Sequence, residues 1–172
     1  HYEFAAAVRD HGMIANPGKY VGDLANAFAG AGGEVIRANV KQVEPDGERI
    51  VLKIDGGDIV AGKAVIAAGA WSHILAERLG ANVPLESERG YHLELTNANR
   101  QLTVPVMDAA RKFVATPMEG VLRLAGVVEF GGLHAPASKG PSDLLVRGAE
   151  AMLPGLKFGA KQVWMGHRPA PA

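Results

Sequence analysis

Five consecutive residues, Ala64-Val65-Ile66-Ala67-Ala68, carry no polar side chain, and Gly69-Ala70-Trp71-Ser72 follow at once. A short apolar run closed by a glycine reads as a strand covered on both faces, because alternation with polar residues is missing. Gly69 allows a tight turn. Ser72 or Trp71 then opens a helix through Ile74, Leu75 and Leu79 that ends at Gly80. A strand of this kind needs a layer on each side, so the chain is expected to build a mixed architecture with both helices and sheet.

The segments on either side are of another character. Residues up to Met13 read as a connector. Asn16-Pro17 is a helix start, with Asn16 as N-cap and Pro17 at the first helical position, and Tyr20, Val21, Leu24, Ala27 and Phe28 recur at helical spacing. Gly30, Gly32 and Gly33 close that helix. From Glu34 the pattern turns β-rich through Val35, Arg37, Val40 and Val43. Turns at Pro45-Asp46-Gly47 and Asp55-Gly56-Gly57 separate Ile50 to Ile54 from Ile59-Val60, which predicts an antiparallel meander. After Pro84, candidate strands lie at Tyr91 to Leu95, Thr103 to Met107, Lys112 to Thr116 and Val121 to Glu129. They form an antiparallel sheet with one broad face available for binding. Ser142 caps a helix through Leu145, Ala149 and Met152 that stops at Pro154-Gly155, and Lys161 to Met165 is a last strand leading into Gly166-His167-Arg168-Pro169. No internal repeat is visible.

Composition removes several functional classes. The 172 residues carry 18 basic and 18 acidic side chains, so there is no electrostatic footprint for nucleic acid or an anionic membrane. No apolar run approaches the roughly 18 to 20 residues of a membrane span, and the first residues lack a signal-peptide pattern. The chain has no cysteine, which suits a reducing, cytoplasmic setting. Its six histidines show no metal-ligand spacing, so no metal is expected, and there is no G-x-S-x-G nucleophile turn.

Seven stretches occur in an order that resembles the FAD-dependent D-amino-acid oxidase and dehydrogenase superfamily, which includes glycine oxidase, sarcosine oxidase and the D-amino-acid dehydrogenase small subunit. They are Gly33-Glu34-Val35 leading to Val40, Val65 to Ser72, Leu79-Gly80, Val83-Pro84-Leu85, Arg89-Gly90-Tyr91-His92, Gly126 to Glu129, and Trp164-Met165-Gly166-His167-Arg168-Pro169. Arg89 to His92 is closest to the dehydrogenase branch. Val127 stands where many relatives have threonine. The strand, G-x-G-x-x-G turn and helix that hold the FAD pyrophosphate in this family are not found in the chain. Gly30-Ala31-Gly32-Gly33 follows a helix and precedes a strand, the reverse of the required order. The sequence therefore reads as an internal fragment of a longer enzyme.

The resemblance implies an α+β or mixed α/β fold: part of a glutathione-reductase-like FAD-binding domain joined to an antiparallel-sheet substrate domain. Residues 1–15 would be a connector or substrate-domain edge, 16–85 part of the FAD-binding domain, 86–163 the substrate domain, and 164–172 a return to the FAD-binding domain. It also implies an enzyme that oxidises the C–N bond of a D-amino acid or related small amine to an imine. Hydride would pass to FAD and electrons onward to a quinone or to oxygen, in the cytoplasm or at a membrane periphery.

Candidate cofactor residues are Val40, Ala67, Ala68, Gly69, Trp71 and Gly166. Ala67, Ala68 and Gly69 have a physical reason to be small, since a cofactor lying across a strand end tolerates no side chain beneath it. Val40 matches a position that meets the adenine through backbone groups, and Trp71 either stacks near the adenosine or plugs the core. Arg168 is the candidate carboxylate clamp, because a guanidinium offers two parallel charge-assisted hydrogen bonds. Arg89, Tyr91 and His92 are further candidates for substrate binding. On a strand Arg89 and Tyr91 share one face while His92 takes the other with Glu88 and Glu94, so a bulge at Gly90 is needed for all three to meet. A second functional reading is a non-catalytic binding domain derived from the same fold, or an inert fragment.

Overall fold

The computed structural model describes residues 2–171. They fall into two compact units, the first ending at Val35 and the second beginning at Ile36. The first contains helix α1, Pro17–Gly30, whose N-terminus is capped as the sequence predicts, with Asn16 Oδ1 accepting the Lys19 N–H at 3.0 Å. Tyr20, Val21, Leu24 and Phe28 on this helix are exposed. The Phe28 ring folds over Gly33, where a Cβ would collide with it.

The second unit begins with a three-stranded antiparallel meander, β1 Val40–Asp46, β2 Arg49–Ile54 and β3 Gly57–Ala61, joined by the two predicted turns. Val35 and Ile36 precede it, exposed and outside any strand, so the β-rich run starts five residues later than its composition suggests.

The larger correction concerns residues 64–68. They are not a strand: the segment pairs with no other described strand, and Val65 is 89% exposed. Apolar composition makes a segment suited to a sheet, but a strand exists only where a neighbour accepts its backbone hydrogen bonds. The turn that follows does form. Gly69 sits at φ +56 and opens a 3-10 turn, Gly69–Trp71, that leads directly into α2, Ser72–Glu77.

The main body is a five-stranded antiparallel sheet in the order β5-β6-β7-β4-β8, made of β4 Leu85–Thr96, β5 Val106–Asp108, β6 Phe113–Met118, β7 Val121–Phe130 and β8 Lys161–Pro171. Helix α3, Gly140–Met152, covers one face. Leu93 and Leu95 of β4, Leu122 and Leu124 of β7, and Phe113 and Ala115 of β6 pack there against Leu145, Ala149 and Met152. Ser142 does not cap α3. Lys139 holds that position, and the Ser142 hydroxyl donates to the Lys139 carbonyl at 2.9 Å.

Strand β8 is longer than the sequence suggests. It pairs with β4 without interruption from Leu95↔Lys161 to Leu85↔Pro171. Residues 164–171 therefore continue the antiparallel sheet.

Candidate functional site

Directly opposed residues of antiparallel neighbours share a face, so the register decides which side chains meet. Strand β4 pairs with β8 as Glu88↔Arg168, Gly90↔Gly166 and His92↔Trp164, and with β7 as Glu88↔Phe130 and Gly90↔Val128. These residues lie on the face of the sheet away from α3. Arg89, Tyr91, Leu93 and Leu95 point to the α3 side.

The structure thus divides the four candidate substrate residues. Arg168 and His92 lie on the open face, while Arg89 and Tyr91 lie on the covered one, as the strand alternation predicts in the absence of a bulge at Gly90. A bulge does exist, but on β7 rather than at Gly90. The register shifts between Tyr91 and His92 because Gly126, at φ +146, is the extra residue. A bulge on the neighbouring strand leaves the alternation of β4 intact.

On the covered face, Arg89 and Tyr91 are committed to Glu129. Arg89 is 3% exposed and its Nη2 donates to Glu129 Oε2 at 2.6 Å, while its Nη1 donates to the carbonyls of Ala135 and Pro136. The Tyr91 hydroxyl also donates to Oε2, at 2.6 Å, and accepts the Ser138 N–H. The Ser138 hydroxyl donates to Oε1 at 2.5 Å. The guanidinium is pressed against Gly131, where a Cβ would overlap it. This network ties the segment 131–138 to the sheet. Its residues were not legible as a group because Glu129 and Ser138 are far from Arg89 in sequence.

Hydrogen bonds from Ser138 and Tyr91, with the Arg89 charge, hold the Glu129 carboxyl below the usual carboxylate range. A carboxylate with a depressed native pKa contributes stability above its unfolded pKa, and this stability is lost as pH falls through the native one. Thermal unfolding of the protein at its natural length is therefore expected to show a falling melting temperature below about pH 4.5. Glu129→Gln should start lower at pH 7 and vary less with pH in this range. Parallel curves for the two proteins would refute the role given to this network.

On the open face, Arg168 is exposed and, among the described residues, makes no hydrogen bond or ion pair. Its cross-strand neighbour Glu88 does not bind it. Instead the guanidinium lies over Gly90, where a Cβ would stand 2.8 Å from Nη2. The Trp164 indole lies over Gly166, where a Cβ would overlap it. His92 stacks on Trp164 with ring centroids 4.8 Å apart and planes inclined by 24°. His92 Nδ1 is 3.0 Å from Arg123 Nη2, so Nδ1 accepts, and Nε2 faces Glu94 at 3.7 Å. Burial, then the Arg123 charge, push the His92 pKa down despite Glu94, which keeps the ring neutral at neutral pH.

The candidate cofactor residues are brought partly together. Trp71 packs edge-on against His167 of β8, with centroids 5.0 Å apart, and His167 Nδ1 is 2.8 Å from the Ser87 hydroxyl. This contact anchors the 65–71 segment to the covered face of β8, beside Gly166. Ala67, Ala68 and Gly69 are exposed, and nothing lies within 4 Å of a Cβ built on Gly69. They form a bare backbone ledge of the kind a flat cofactor can approach, so the residues present fit that half of an FAD site. Val40 is half-buried at the start of β1, beside an irregularity in its pairing with β2. Among the described residues no group of three or more His, Cys, Asp or Glu side chains could hold a metal ion, and no helix is long and apolar enough to cross a membrane.

The chain thus combines a mixed α/β fold and a broad antiparallel sheet with an open-faced arginine and a small-residue ledge. The sequence profile described as DAO, FAD dependent oxidoreductase, matches residues 2–172, and the chain belongs to that family. It is 33% identical over 174 residues to a D-amino-acid oxidase of Bradyrhizobium diazoefficiens, covering 98% of this chain and 41% of that protein. It is 28% identical over 171 residues to a D-amino acid dehydrogenase of Dechloromonas aromatica, covering 98% of this chain and 39% of that protein. Among solved structures, glycine oxidase from Geobacillus kaustophilus superimposes with a TM-score of 0.74 at 24% identity over 87% of this chain and 41% of that one. L-proline dehydrogenase from P. horikoshii gives 0.74 at 16% identity over 87% and 42%. These two likenesses show the fold. The chain spans about two fifths of the length of the relatives it matches.

Proposed function

We propose that this chain supplies the substrate-facing sheet of an FAD-dependent enzyme that oxidises the C–N bond of a D-amino acid or a related small amine to an imine. The observation that carries this reading is Arg168: an exposed guanidinium without an acid partner among the described residues, laid on a glycine, on the open face of the sheet. Its planar fork can take an α-carboxylate through two parallel hydrogen bonds and so fix the α-carbon in one orientation.

The FAD, when bound, supplies the acceptor for the hydride that leaves the α-carbon. A proton leaves the amine nitrogen as the C=N bond forms. This chain holds the carboxylate and excludes alternative poses. His92 does not serve as the base, because Nδ1 is occupied by Arg123 and the ring is stacked on Trp164. A substrate that binds with a neutral amine needs no strong protein base. Electrons would pass on to a quinone or to oxygen, from a cytoplasmic or membrane-peripheral protein.

The test is spectroscopic. The protein at its natural length, purified and supplied with FAD, should be yellow, and a D-amino acid should bleach the flavin in the absence of oxygen. A protein that stays colourless with FAD, or a flavin unchanged by a panel of D-amino acids and small amines, would refute the proposal.

A further inference from the structure

We propose that Trp164 sets which side chain the site accepts, and that it selects amino acids with large apolar or aromatic side chains over small ones. The inference rests on the proposed role of Arg168 and goes one step beyond it.

The argument is the geometry of one row of the sheet. Val128 of β7, Gly90 of β4 and Gly166 of β8 are successive cross-strand neighbours on the open face. Neighbouring strands are about 4.8 Å apart. Two of the three positions have no side chain, and their space is filled from along β8. The Arg168 guanidinium lies on Gly90 and the Trp164 indole lies on Gly166. The cation is therefore bordered by an indole on one side and by Val128 on the other. Phe130 stands one row further along, 69% exposed, and Val128 is 38% exposed. A carboxylate docked on Arg168 places the atoms beyond the α-carbon against these apolar walls, with the indole as the larger of the two.

Trp164 is also held in place. Its six-membered ring lies against Gly166, where a Cβ would overlap it, and His92 stacks on the indole. Arg123 in turn orients His92 through Nδ1. A large aromatic side chain that is 55% exposed yet braced on two sides is arranged to meet a ligand rather than to fill a core. His92 is accordingly a positioning residue acting through the indole. Glu88, the titratable group facing Arg168 across the strands, lies toward the Phe130 end, while on the Trp164 side the polar groups His92, Arg123 and Glu94 stand behind the indole.

The experiment measures binding without turnover. Two carboxylates that lack an amine, 3-phenylpropionate and propionate, are titrated by calorimetry into the FAD-loaded protein at its natural length. The wild type should bind 3-phenylpropionate about tenfold or more tightly than propionate, the scale of burying apolar carbon in a preformed site. Trp164→Ala should bring that ratio to about 3 or below while leaving propionate affinity nearly unchanged. His92→Ala should give an intermediate ratio. If Trp164→Ala does not fold, Trp164→Leu carries the same comparison. An unchanged ratio in the Trp164 variant, or equal affinities in the wild type, would overturn the inference. Arg168→Leu separates this from the underlying reading: it should weaken both ligands alike, and its failure to do so would sink the carboxylate site itself.

Discussion

Arg168→Leu in the FAD-loaded protein at its natural length is expected to weaken D-amino-acid binding by about 100-fold or more, with flavin content unchanged. Two charge-assisted hydrogen bonds are lost at once, and leucine keeps the side chain's apolar stem. Arg168 is exposed and makes no hydrogen bond or ion pair among the described residues, so its removal strands no buried partner. Stability should therefore change little. Kd from equilibrium titration and the ratio of flavin to protein absorbance check the two halves separately. Equal loss of substrate binding and flavin would show that Arg168 supports the cofactor side instead.

Gly126→Ala is expected to destabilise the protein by about 3 kcal/mol or more. Gly126 is the bulge residue of β7 at φ +146, and a Cβ there would stand 2.5 Å from the Lys112 carbonyl oxygen and 2.6 Å from the Phe113 Cα. Both are backbone atoms. They cannot move aside, because the Phe113 ring is buried in the core and pressed against Gly148 of α3. Gly120→Ala is the control. It also has a positive φ, +76, but open space around it, so only the backbone cost of about 1 kcal/mol applies. Denaturant midpoints of the two variants should separate clearly, and a Gly126 variant as stable as the Gly120 one would refute the steric argument.

Local structure was legible where its cause is local. Asn16-Pro17 encodes its own cap, and the turns at Asp46-Gly47 and Asp55-Gly56-Gly57 encode the meander, because these residues satisfy or shape the backbone within a few positions. The alternation of β4 was likewise legible: Arg89 and Tyr91 on one face, His92 on the other. The bulge on β7 was not. Gly126 is an ordinary glycine until β6 lies against it, and nothing near it in sequence announces Lys112 and Phe113. The apolar run 64–68 shows the converse, a local pattern suited to a strand that no described neighbour completes.

The sequence by itself determined the family, through seven ordered stretches matched by a profile across residues 2–172, and it marked Arg168 as the group most suited to a carboxylate. It also determined which residues of each strand share a face. Only the tertiary structure decided which face is open. Parity within a strand is a covalent property of the chain, but the side that becomes buried depends on the partner's register and on where α3 docks. That choice put Arg89 and Tyr91 in a buried network with Glu129, and it placed Arg168 beside Trp164 on a glycine floor. Residues 164 and 168 are both fixed relative to Gly90 only by the pairing of β8 with β4, which forms over some seventy residues of intervening chain. The seat of the proposed substrate site is therefore a property of that register rather than of any one motif.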